Sequence, residues 1–157
     1  MKLISILIAL LPAAFVQGNE ANEALLAACM AGRGFDSVID VKAAIEDGAD
    51  INATDEKSGQ TALMAAVLRG KINIVKHLLE AGADTSIGEK MGYTPPHGAA
   101  FQGRPDVMKV LIDAGLDVNE YHDDGFVPLH RVCWGGEDVS STKKRFQKYF
   151  QFCDRSI

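Results

Sequence analysis

The chain has 157 residues, 47% of them hydrophobic and 24% charged, a balance that suits one folded domain rather than a disordered or membrane-embedded chain. Its formal charge of −5 offers no basic footprint for nucleic acid. Three cysteines, Cys29, Cys133 and Cys153, are too few for a disulfide-built scaffold, so packing must supply most of the stability.

Lys2 precedes an apolar run from Leu3 to Phe15, and small or modest residues follow at Val16, Gln17 and Gly18. This layout reads as a secretory signal over residues 1–18, cleaved between Gly18 and Asn19. The run falls short of the roughly 20 residues of a membrane span, so the mature chain is expected off the membrane, secreted or in an endomembrane lumen; the competing reading is an uncleaved membrane anchor.

Beyond it, Leu25-Leu26-Ala27-Ala28-Cys29 reads as a short helix, and Val41 to Glu46 belongs to a second. A spacing then recurs. Gly59, Gly92 and Gly125 lie 33 residues apart, and so do Gly70 and Gly103, or Gly82-Ala83-Asp84 and Gly115-Leu116-Asp117. Thr61-Ala62-Leu63, Thr94-Pro95-Pro96 and Val127-Pro128-Leu129 keep the same step. Thr61 and Thr94 suit helix N-caps, and proline is tolerated just inside a helix start. Each first helix is small-sided, with Ala65 and Ala66, then Ala99 and Ala100. Each second helix has apolar spacing, at Ile72, Val75, Leu78 and Leu79, then at Val107, Val110 and Leu111. Gly98 and Pro96 are poor helix residues, and a glycine there costs about 1 kcal/mol, so the third unit is expected to be the softest. From Ser140 to Cys153, Phe146, Phe150 and Cys153 keep helical spacing and suggest an amphipathic cap. The alternative is a truncated end, the chain being a fragment or regulatory part of a longer repeat protein.

This pattern resembles the ankyrin repeat, a 33-residue unit opening T-P-L-H-x-A. The nearest matches are Thr94-Pro95-Pro96-His97-Gly98-Ala99 and Val127-Pro128-Leu129-His130-Arg131-Val132. The resemblance implies an all-α solenoid of stacked antiparallel helix pairs with β-hairpin fingers. About four units would cover residues 22–136, the first and last degenerate, with residues 137–157 a divergent capping helix or tail. It further implies a module that binds protein, with no catalysis, cofactor or metal. One unit cannot bury its own apolar face, and stacking the next one does so.

In such a stack the finger tips and the outward sides of the first helices line the concave face. The period places Gln60, Tyr93 and Phe126 in one row, Leu68, Phe101 and Trp134 in a second, and Arg69, Gln102 and Gly135 in a third. Met91, Tyr93, Phe101, Gln102, Phe126, Trp134 and Arg69 are therefore the expected partner-binding residues, since exposed aromatics and arginine anchor interfaces. The competing reading has the tail folded over these rings. His97 and His130 stand at the motif histidine, which in the family hydrogen-bonds the backbone of neighbouring units. His130 and Cys133 would suit a thiol-dependent enzyme on paper. Cys133, however, shares its packing position with Val67 and Ala100, where cysteine is a small apolar residue. Cys29 is its counterpart three units away, roughly 25–30 Å at the usual helix spacing, too far for a disulfide. A Cys133–Cys153 pair stays open. His122-Asp123-Asp124 lacks converging ligands and reads as a solvated turn. Asn52-Ala53-Thr54 fits an N-glycosylation acceptor, although asparagine is also the usual turn residue there.

Overall fold

The computed structural model describes residues 13–32 and 37–134, with side chains over 19–32 and 37–132. Seven helices run through the described residues: α1 (Ala13–Met30), α2 (Ile39–Glu46), α3 (Ala62–Arg69), α4 (Ile72–Glu80), α5 (Pro95–Phe101), α6 (Pro105–Asp113) and α7 (Pro128–Trp134). Helices α1 and α2, α3 and α4, and α5 and α6 pack as pairs. The first helices α1, α3, α5 and α7 lean on one another in order, and α4 lies on α6 in a second row. This is the stacked solenoid expected from the period.

Helix α3 sits between two neighbours, and Ala62 to Val67 are all buried. Helices α4 and α6 bury one side only, through Ile74, Val75 and Leu78 and through Val107, Met108 and Leu111. The core is therefore a stripe along the stack rather than a single centre. Lys71 is buried at the start of α4 and donates from Nζ to the Ala28 carbonyl at 3.0 Å, near the C-terminus of α1, where a cation is favoured. Cys29 is packed beside it with no exposure, and burial pushes its thiol up to about 12 against the opposing charge of Lys71.

Local chemistry sets the helix ends. Thr61 caps α3, its Oγ1 accepting from the Met64 amide at 3.2 Å. Thr94 makes no such cap. Its hydroxyl is taken by His97 Nδ1 at 2.9 Å instead. Gly70 closes α3 at φ +74°, a left-handed turn that suits glycine.

The fingers carry one isolated antiparallel bridge, Thr54 to Thr61, in place of a ladder. Asx turns take the amides that strands would pair: Asp50, Asp84 and Asp117 accept from the amides of Asn52, Ser86 and Asn119 at 2.7–2.9 Å. Asparagines then tie α1 to the first finger and that finger to the next. Asn22 Oδ1 accepts from the Asp50 amide at 2.7 Å, and Asn52 Oδ1 from the Asp84 amide at 2.8 Å. That second bond accounts for an asparagine at position 52 without a glycan.

Both sides of the expected Gly18–Asn19 junction lie inside α1. Among the described residues, no helix is long and apolar enough to cross a membrane. The 137–157 tail, with Cys153, and the side chains of Cys133 and Trp134 lie outside the described residues.

Candidate partner-binding groove

The first helices and the fingers together line two cavities. The apolar one, of about 310 Å³, is lined by Met64 and Leu68 of α3 and by His97, Gly98 and Phe101 of α5. Glu89, Met91 and Tyr93 of the finger and Arg131 of α7 complete it. The second, of about 340 Å³, is polar and lies one unit earlier. Its walls are Met30, Gln60, Ala65, Leu68, Arg69, Gln102 and Arg104. Leu68 belongs to both. Gln60, Ala65 and Leu68 of the second cavity are the 33-step counterparts of Tyr93, Gly98 and Phe101 of the first. The two are one groove, read at successive units.

Of the residues expected from sequence, Met91, Tyr93 and Phe101 meet in the first cavity and Arg69 and Gln102 in the second. Phe126 lines neither. It is half-buried, with its ring 5.3 Å from the Arg131 guanidinium and edge-on to His130 at 5.5 Å. Trp134 ends α7.

Tyr93 is held by the next finger rather than by other large aromatics. Its ring lies 4.0 Å from that of His122, and the Arg131 guanidinium covers it at 4.2 Å. Its hydroxyl donates to Asp124 at 2.8 Å, and Arg131 donates to both Tyr93 and Asp124. The bond to Asp124 raises the Tyr93 hydroxyl above its ordinary value. Partial desolvation acts to raise Asp124, but bonds from Tyr93, His122 and the Phe126 amide, with the Arg131 charge, bring its carboxyl down to about 2. His122 also donates from Nε2 to the Met91 carbonyl at 2.7 Å, fixing the finger tip that carries Met91. Gly92 makes room for it: at φ +83° a Cβ there would stand 2.9 Å from His122 Nε2. His122 is thus tied into the finger, as a turn residue.

His97 bridges two units. Nε2 donates to the Phe126 carbonyl at 3.2 Å while Nδ1 accepts from Thr94, an arrangement that fits a neutral ring. Burial holds its basicity below the usual histidine value. His130 differs. It is exposed, and its Nδ1 accepts from the Val127 amide of its own helix start at 3.2 Å.

Gly98 is explained by close approach, since a Cβ there would meet Met64 Sδ at 2.9 Å and Leu68 at 3.2 Å. Arg131 escaped the sequence reading. Its row, Ala65–Gly98–Arg131, is small-sided in the other units, so one large cation breaking that row was the available signal.

Family models agree with this architecture: ankyrin repeats (3 copies) match residues 2–89, and ankyrin repeats (many copies) match residues 97–144. The chain is an ankyrin-repeat protein. The first match takes in the apolar N-terminus as well as the first two units. No curated protein matches the sequence. Ankyrin repeats are generally protein-interaction modules and are typically non-catalytic. In this ankyrin protein the described cysteine, Cys29, is a packed core residue.

Proposed function

We propose that the chain recognises an extended segment of a partner protein in the groove along α3, α5 and α7, and that it does no chemistry on it. The observation that carries this reading is an apolar cleft flanked by Met91 at 67% exposure and Phe101 at 44%. Large apolar side chains facing water side by side mark contact surfaces. Polar bonds keep the cleft open: His122 holds the Met91 finger, and Arg131 and Asp124 hold Tyr93. Such a preformed wall lowers the ordering cost of binding. The test is a Met91→Ala, Phe101→Ala double variant with an unchanged helical circular-dichroism signal. Partners captured by the wild-type chain and titrated against it directly should be lost to the variant. Equal affinity would refute the reading.

We also propose that the chain enters the secretory pathway, on the strength of the charged start and apolar run in residues 1–18. N-terminal sequencing of protein expressed in a secreting host checks this. A start at Asn19 supports it, and an intact Met1 refutes it.

A further inference from the structure

Resting on the groove reading above, we infer that the segment it takes carries a bulky apolar side chain and, a short step along the chain, a carboxylate. The two cavities differ in chemistry although they are the same structural position one unit apart. The first is apolar, lined by Met64, Leu68, Met91 and Phe101. Its cation, Arg131, is already neutralised by Asp124, and Glu89 stands in its wall, so an acidic side chain is disfavoured there. The second holds two guanidinium groups, Arg69 and Arg104, with the amides of Gln60 and Gln102 and no carboxylate in its lining. Among the described residues neither arginine enters an ion pair, in a chain whose net charge is −5. Arg104 lies flat over Gly70, where a Cβ would stand 3.0 Å from Nε, and that Nε is buried without a partner. Arginine forks match carboxylates in a bidentate way, and the Gln102 amide adds donors, while Gln60 Nε2 donates to Glu89 at 3.5 Å.

Geometry sets the spacing. Packed helices stand about 8–10 Å apart, and an extended chain advances roughly 3.3 Å per residue, so adjacent cavities take side chains about two to three residues apart. The occupant is an extended protein segment bearing Leu or Phe and, at that distance, Asp or Glu.

The probes are fluorescein-labelled Ser/Gly-based peptides carrying one Phe and one Glu at varied separations, with Gln controls, read by fluorescence anisotropy against the whole chain. The Phe–Glu peptide at the stated separation should bind about tenfold more tightly than its Gln control, and the advantage should shrink with salt. Arg69→Gln and Arg104→Gln should each erase the Glu preference while leaving Phe-dependent binding. The exposed Arg69 keeps the test valid if Arg104→Gln unfolds the chain. Equal binding of Glu and Gln peptides, with dependence on Phe101 intact, overturns this inference and spares the groove reading. Peptide binding unaffected by Phe101→Ala, or none at all, overturns both. Arginine-dependent binding of anionic vesicles or of an oligonucleotide, without peptide binding, likewise overturns it.

Discussion

Replacing His97 by alanine tests how much of the stack is held by a single side chain. The imidazole joins Thr94 at 2.9 Å to the Phe126 carbonyl at 3.2 Å, and so couples the third unit to the fourth. Two neutral hydrogen bonds are worth about 1 kcal/mol each, and the Phe126 carbonyl keeps its bond from the His122 amide at 3.0 Å, so His97→Ala should cost about 2 kcal/mol. For a domain of this size that is a fall in Tm on the order of 10 °C. His130→Ala, at the equivalent but exposed position, removes one bond within its own helix start and should cost under about 1 kcal/mol. A pH series sharpens the contrast. Folding lowers the proton affinity of His97, chiefly through burial, from its ordinary value of 6.5. The unfolded chain therefore takes up the proton first as pH falls. The stabilisation from this site is complete above about pH 6.5 and declines below it, until the folded-state value is passed. Urea melts of wild type and His97→Ala between neutral and mildly acidic pH should therefore converge as pH drops. A variant within about 0.5 kcal/mol of wild type at neutral pH, or a gap that does not narrow on acidification, would show that His97 does not couple the units.

Three further outcomes follow from the same packing. With Cys133 and Cys153 changed to serine, Cys29 should resist a maleimide at pH 8 until denaturant is added, because burial pushes its thiol up to about 12; labelling at the rate of a free thiol would contradict its place in the core. Thr61→Ala should lower stability by about 1 kcal/mol through the lost cap on Met64, as read from thermal melts, and an unchanged Tm would mean the cap is idle. Gly98→Ala should forfeit the usual helix gain of about 1 kcal/mol because its methyl meets Met64 and Leu68; a full gain would mean those side chains yield freely.

The helices and their order were legible in the sequence because glycine, threonine and apolar residues recur at a step fixed by the unit. Tyr93 and Phe101, from two rows built on that step, line one cavity together with Met91 of the finger tip. What the rows could not give was contact between units at positions that do not share a row. His122 lies beside Tyr93 because the next finger folds back, and Arg131 reaches Tyr93 from a row whose other members are alanine and glycine. Phe126 shares its row with Tyr93, yet its ring lies against Arg131 and His130 and only its carbonyl serves His97. The softness expected of Gly98 rested on helix propensity alone, whereas the neighbouring Met64 needs the space. Arg104 carries no signal within its own unit, and its approach to Gly70 depends on the preceding one.

Because Leu68 is shared by both cavities, each helix pair contributes one half of two adjoining compartments. Splicing another 33-residue unit into the array would thus create one new compartment while changing the composition of only one old one. The length of ligand scanned and its chemical pattern could then be altered independently, a unit at a time.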